Sequence, residues 1–156
     1  MQVTLKFVDI GNEDLKLLVG MLDAYFQASW GDVAKSYAPH HDLAAMSCAV
    51  VAYADGKPVG CGCWKPYDAV TAEIKRMFVL PDYRREHVAA QVIHALEQHA
   101  AASGCHKAVL ETGAEMPDAI TFYEKQGYRT VANYGAFVDD EICVCMAKEI
   151  SDGTMR

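Results

Sequence analysis

The chain has 156 residues, 52% hydrophobic and 22% charged, with a formal net charge of −7. That length suits one compact domain, in which roughly 70% of the unfolded surface is buried on folding. No run reaches the ~18 apolar residues of a membrane span and no basic-then-apolar leader opens the chain; the acidic balance argues against a nucleic-acid partner and suits a cationic one such as an amine.

In chain order, the alternation over residues 3–8 predicts a first strand. Asn12 is the expected N-cap of a helix running to about residue 29, with Leu15, Leu18, Val19, Leu22 and Phe26 at helical spacing. Residues 30–47 show no clean period, so a short helix plus a loop is expected there. Residues 48–53 are apolar and β-prone, Asp55-Gly56 is a hairpin turn signal, and residues 58–64 make the return strand. Pro66, Tyr67 and Asp68 read as the next connection, followed by a third strand over 70–80. The following helix is expected to start at Arg85 or Glu86, to carry Val88, Val92, Ala95, Leu96 and His99, and to close at Gly104. Residues 107–111 read as a strand broken by Thr112-Gly113. Pro117 then opens a helix that Gly127 ends. Residues 128–132 and 141–148 are the last strands, and the polar tail 151–156 is expected to fray.

This order implies an α/β fold: a mixed, mostly antiparallel sheet flanked by helices, in a single domain over residues 1–150. One parallel step is made by a crossover through the helix at 88–103. The six cysteines include two Cys-x-Cys pairs, Cys61/Cys63 and Cys143/Cys145, both in strand-like runs. Buried, reduced thiols are expected rather than a metal site, whose cysteines are usually spaced wider and in loops.

The segment from 73 to 89 bears the chemistry. It reads as a strand, a stop at Pro81, a basic turn and a helix start. Free N–H groups at a helix start, backed by the dipole, bind anions. The turn with Arg84 and Arg85 is therefore a candidate pyrophosphate cradle; the alternative is a capped surface helix with two solvated arginines.

The run Val79-x-Pro81-x-Tyr83-Arg84-Arg85-x-x-x-Ala89 resembles the acetyl-CoA signature of the GNAT N-acetyltransferases. Ala119, Tyr123, Gly127 and Tyr128 fall at the spacing of a second signature similar to that family's A-x-x-x-Y-x-x-x-G-F. Leu110 to Gly113 resembles the strand end that widens the family's cofactor groove, and Asn133-Tyr134-Gly135 followed by Cys145-Met146-Ala147-Lys148 resembles bacterial members. The resemblance implies the GNAT acyl-CoA N-acyltransferase fold and a cytoplasmic enzyme, in a family where dimers are common. It implies direct acetyl transfer from acetyl-CoA to a primary amine in a ternary complex, without a metal. Cofactor contacts are then expected from Met77, Phe78, Val79, Arg84, Arg85, Glu86, His87, Val88, Ala89, Ala119 and Tyr123. The main-chain N–H groups of Met77 and Val79 are expected to serve the thioester carbonyl and pantetheine.

One position departs from the pattern. The family loop reads R/Q-x-x-G-x-G/A, and His87 replaces its first glycine. The side chain either crowds the cofactor or turns away and donates to phosphate. Restoring glycine is expected to cost the helix about 0.5–1 kcal/mol. The departure leaves a second reading open, a GNAT-fold module that binds acyl-CoA without turnover, and a third, an interaction subunit with a blocked groove.

Acyl transfer to an amine needs a base for the amine, donors for the carbonyl oxygen and an acid for the thiolate. On the strand that lines the family's cleft, Glu73 is the candidate base; otherwise it forms a salt bridge with Lys75 or Arg76. Glu111 and Glu115 are weaker alternatives. Tyr123, which the resemblance puts beside the sulfur, is the candidate acid; its alternative role is core packing. Trp30, Tyr37, His40 and His41 either help line the acceptor pocket or sit in a solvated loop. Phe122, Tyr128 and Trp64 are expected core aromatics, and His94, His99 and His106 are expected to be incidental.

Overall fold

A computed structural model describes residues 2–31, 42–113 and 117–151, with the side chains of residues 29 and 30 excepted. A seven-stranded sheet forms the middle of the molecule. Its strands are β1 (Val3–Val8), β2 (Cys48–Ala54), β3 (Lys57–Asp68), β4 (Thr71–Val79), β5 (Lys107–Gly113), β6 (Arg129–Val131) and β7 (Cys143–Glu149). The helices are α1 (Glu13–Trp30), α2 (Val88–Ala102) and α3 (Pro117–Lys125). The spatial order is β1-β2-β3-β4-β5-β7-β6. All neighbours are antiparallel except β4 and β5, which α2 joins as a parallel crossover.

Helix α1 starts where the sequence predicts. The Asn12 side chain accepts a 3.0 Å hydrogen bond from the Leu15 N–H, and Glu13 and Asp14 place negative charge on the positive end of the helix. Its buried Leu15, Leu18 and Val19 pack on Ala49, Val51, Cys61 and Cys63. Helix α2 packs on the opposite face through Val88, Val92, Ile93, Leu96 and Ala100. Each large apolar side chain fully buried there contributes about 1.5–3 kcal/mol. Strand β2 is covered on both faces, and its run is accordingly apolar almost throughout.

Gly60 and Gly62 allow α2 its close approach. A Cβ on Gly62 would lie 2.5 Å from Met77 Sδ and 2.9 Å from Val92 and Leu96, and one on Gly60 would lie 2.9 Å from Val88. All six cysteines are buried free thiols, as the strand reading implies. Burial pushes the Cys48 thiol up to about 11 and that of Cys61 up to about 12.

Four expectations are corrected. Pro66, Tyr67 and Asp68 belong to β3 rather than to a connection. Beyond the Cys48–Trp64 pair β3 has only β4 beside it, so the N–H that Pro66 lacks falls on an unpaired edge. Thr112 and Gly113 do not break β5, because β7 pairs with them through Val144 and Cys143. The last strand begins at Cys143, after a turn in which Asp140 caps the Ile142 N–H. Helix α2 starts at Val88, not at Arg85 or Glu86: Pro81–Tyr83 form a 3-10 turn, and Arg85 and His87 both have left-handed backbone, which a helix cannot include.

His99 is not incidental. Its Nδ1 accepts the indole N–H of buried Trp64 at 3.0 Å, and its ring stacks at 5.4 Å from Phe7. No described helix is long and apolar enough to cross a membrane.

Candidate active site

The parallel pair β4–β5 is short. Its register runs Thr71–Lys107, Ala72–Ala108 and Glu73–Val109, and then stops. β4 continues six residues further, paired with β3 alone, while β5 continues with β7. The sheet therefore opens into a V whose apex is at Glu73 and Val109. Along β4 beyond that apex, the main chain has no strand partner on the β5 side.

The opening is accompanied by a bulge. Between Cys61–Phe78 and Cys63–Lys75 the register of β3 and β4 shifts, and Arg76 takes a φ of 59°. A bulge kinks its strand and re-aims the neighbouring side chains. The buried Arg76 guanidinium pairs with Asp23 of α1 and donates to the Val19 carbonyl at 3.4 Å, so Arg76 does not pair with Glu73.

Ala72 and Ile74 face α2. Glu73 and Lys75 alternate with them and so share the opposite face. Glu73 is buried, with Lys75 Nζ 3.2 Å from its Oε2 and Lys65 Nζ 3.8 Å from its Oε1. The Tyr134 hydroxyl donates to Glu73 Oε2 at 2.7 Å. Burial first, and then the Glu73 charge, push the Tyr134 phenol far above its ordinary range, so it acts as a hydrogen-bond donor. Lys75 also lies 3.7 Å from Glu111 Oε1 and 5.2 Å from the centre of the Phe137 ring. These groups border a cleft of about 270 Å³ that Pro66, Tyr67, Gly135 and Ala136 complete.

Tyr123 lies on the α2 side, packed at 5.1 Å from the Phe122 ring and 5.9 Å from the Tyr128 ring. Burial raises its phenol above the ordinary range, and the Glu111 charge adds to the rise. Glu111 thus stands between the two candidate catalytic residues, acting on Lys75 on one side and on Tyr123 on the other. Phe122 and Tyr128 also contact the core, and the Tyr128 hydroxyl donates to buried Glu97, which pairs with Lys148.

The loop from β4 to α2 has the backbone of an anion nest. Left-handed residues at Arg85 (φ 69°) and His87 (φ 63°) alternate with Glu86 and lead into α2. Such alternation turns successive N–H groups toward one point. The first bond of α2 runs from Gln91 N–H to the His87 carbonyl, so the N–H groups of Val88 and Ala89 precede the helical ladder. The Val88 side chain is buried in the core, and the side chains of Arg84, Arg85, Glu86 and His87 are exposed. Arg84 Nε donates to the Val79 carbonyl at 3.0 Å and its guanidinium lies over the Phe78 ring. That contact ties the loop to the end of β4. Phe78 itself packs on the α1 side, leaving its main chain at the groove. Ala119 is half-buried in the first turn of α3.

The model of the acetyltransferase (GNAT) family matches residues 15–128. This chain belongs to the GNAT acetyltransferase family. Among its curated relatives, an IAA acetyltransferase of Azospirillum brasilense is 31% identical over 102 residues, which cover 65% of this chain and 67% of that one. The uncharacterised N-acetyltransferase YjcF of Bacillus subtilis is 34% identical over 83 residues; the match spans 53% of this chain and little more than half, 56%, of the relative. A Klebsiella pneumoniae structure assigned as an acyl-CoA N-acyltransferase superposes with a TM-score of 0.80 at 25% identity, over 96% of this chain and 98% of that one. The PaiA N-acetyltransferase of Thermoplasma acidophilum, solved with coenzyme A, has a TM-score of 0.74 at 18% identity, over 96% and 99% of the two chains, and so shares the fold.

In this GNAT chain, Glu73 sits at the apex of the opened strand pair and the β4–α2 loop follows the far end of β4. The proposed acceptor residues Tyr37, His40 and His41, the Trp30 side chain and Glu115 lie outside the described residues. Sequence reasoning missed Lys65, Lys75 and Tyr134 as lining of the cleft. Two signals were available: Glu73 and Lys75 sit two apart on one strand, and Asn133-Tyr134-Gly135 was noted only as a family likeness.

Proposed function

We propose that the chain is an acetyl-CoA-dependent N-acetyltransferase that passes the acetyl group directly to a primary amine. The observation that carries this reading is the opening of β4 from β5, with a buried carboxylate at its apex and the loop nest beyond its far end. Acetyl-CoA is a substrate here and supplies the activated thioester.

In this reading the main-chain N–H groups from Arg85 to Ala89 receive the pyrophosphate, while that of Arg84 closes the preceding turn on the Pro81 carbonyl. Left-handed backbone at positions 85 and 87 suits them to do so, and the exposed His87 side chain leaves the nest open. The arginines add charge at the rim. The main-chain N–H groups of Met77 and Val79, on the strand edge that β5 does not cover, hold the pantetheine and the thioester carbonyl oxygen. Ala119, small and at the start of α3, gives the cofactor room beside Tyr123.

Glu73 takes the proton that the acceptor ammonium must lose, directly or through water. Tyr134 and Lys75 fix its carboxylate, so its orientation is set before the acceptor arrives. Tyr123 keeps its proton because its hydroxyl is desolvated, and it donates to the departing thiolate. No thiol intervenes: the Cys145 thiol near Glu73 and Glu111 is raised by burial and stays protonated. Six thiols with no disulfide among them fit a reducing cytoplasm.

The test is release of free CoA from acetyl-CoA with a panel of primary amines, alongside mass spectrometry of protein plus acetyl-CoA alone. Amine-dependent release without an acetylated protein is expected. Binding of acetyl-CoA with no release for any amine would leave a sensor rather than an enzyme.

A further inference from the structure

The cleft above Glu73 carries more hydrogen-bond donors than it uses. Lys75 Nζ is buried, its side chain 2% exposed, and makes no hydrogen bond despite its ion-pair distances to Glu73 and Glu111. An ammonium has three N–H donors and no acceptor. A buried donor left unmet costs about 1–3 kcal/mol, so a group that satisfies it gains correspondingly. Lys65 Nζ, at 3.8 Å from Glu73, adds three more donors at the rim. The Glu73 oxygen nearer Lys75 already accepts from Tyr134. Glu73 and Glu111 balance the charge of the two lysines, so what stays unmet among the described residues is the set of Lys75 N–H donors.

Its walls are aromatic. Tyr67 and Tyr134 meet edge to face at 5.0 Å, and Tyr134 and Phe137 do so at 5.8 Å. The volume, about 270 Å³, is below the ~300–1,000 Å³ of drug-sized sites. Two lysines disfavour a polycation such as a polyamine, and the volume suits one small molecule.

We infer that the acceptor is a small amine that also carries a carboxylate, of the amino-acid class, with an apolar or aromatic side chain. This rests on the acetyltransferase reading. The carboxylate meets Lys65 and Lys75, the amine faces Glu73, and the side chain lies along Tyr67, Tyr134 and Phe137. An α-amino acid bears both groups on one carbon, which suits a base set between two ammonium groups. Those ammonium groups also disfavour the charged form of the bound amine and so ease its loss of a proton. The step balances: the ammonium gives one proton to Glu73, the amine nitrogen bonds to the acetyl carbon as the carbon–sulfur bond breaks, the thiolate takes the Tyr123 proton, and the second proton lost by the nitrogen restores the Tyr123 phenol.

The experiment separates binding from turnover. Phenylalanine, its amide and phenethylamine are titrated into CoA-loaded protein by calorimetry, and the same three are offered with acetyl-CoA while free CoA is followed. Phenylalanine is expected to bind about 10- to 100-fold tighter than either neutralised analogue, the range of a charge-assisted hydrogen bond. Lys65→Met, at the rim, should remove most of that preference by weakening phenylalanine, while phenethylamine binds no more weakly than before. Lys75→Gln should do the same where it folds. Equal or weaker binding of phenylalanine, or a preference that survives Lys65→Met, overturns the carboxylate site. Tight carboxylate-dependent binding without CoA release would instead overturn the transferase reading and leave this site standing.

Discussion

The Tyr134 hydroxyl and the Glu73 carboxylate, 61 residues apart in the chain, meet in a 2.7 Å hydrogen bond. The contact fastens the segment between β6 and β7 to the apex of the sheet opening. It also sets the orientation of a buried carboxylate that has Lys75 on the same oxygen.

Tyr134→Phe removes that donor and leaves Glu73 Oε2 less well satisfied. A loss of about 1–3 kcal/mol is expected in urea unfolding near neutral pH. The folded protein holds the Tyr134 proton more tightly than the unfolded chain, whose tyrosines titrate near 10. That stability is complete below pH 10 and is lost as pH rises above it. The difference between wild type and Tyr134→Phe should therefore shrink in alkali. A gap that stays constant from pH 8 to pH 11 would show that this phenol is not linked to folding.

Tyr123→Phe deletes only a hydroxyl from a well-packed ring. kcat is expected to fall about 10²- to 10⁴-fold, with acetyl-CoA affinity nearly unchanged. Glu73→Gln should behave differently: its defect shrinks as pH rises and free amine becomes abundant. A pH–rate profile of both variants with one good acceptor distinguishes them, and unchanged rates would take both residues out of the mechanism.

His87→Gly should stabilise the protein rather than cost it helix. The left-handed conformation at position 87 costs a side-chain-bearing residue about 1–2 kcal/mol that glycine does not incur. A gain of about 1 kcal/mol is expected, which raises Tm by about 2–4 °C in a chain of this size. Acetyl-CoA affinity should be maintained or improved. A clear loss of affinity with the fold intact would make His87 a phosphate ligand.

Gly62→Ala puts a methyl group against Met77, Val92 and Leu96, where the sheet and α2 are closest. A cost of about 1–3 kcal/mol is expected, the usual range for overpacking. Because Met77 is displaced, the KM for acetyl-CoA should rise as well. A stable variant with unchanged KM would show that α2 can move away without disturbing β4.

Much of this was legible in the sequence. The order of elements, the Asn12 cap, the parallel crossover and the positions of Glu73 and Tyr123 follow from periodicity, capping chemistry and two spaced motifs. Other features depend on partners far along the chain. Nothing near Pro66 shows that β2 ends beside Trp64, so its place in β3 was hidden. The left-handed backbone at Arg85 and His87 was equally hidden, since few residues other than glycine adopt it, although histidine does so more often than most. Lys75 reads as a candidate salt-bridge partner of Glu73, which it is, but nothing local shows that the fold buries it or brings Lys65 to the same carboxylate.

Lys75 faces both Glu73 and Glu111, and the Glu111 charge adds to the rise of the Tyr123 phenol, so these four side chains are neighbours in charge across the gap in the sheet. Such positions are expected to show epistasis: a substitution tolerated in one background is harmful in another, and effects measured singly do not sum. A substitution at Lys75 is therefore expected to alter the charge around Glu111 and, through it, the candidate acid Tyr123, and the two positions are best varied as one library.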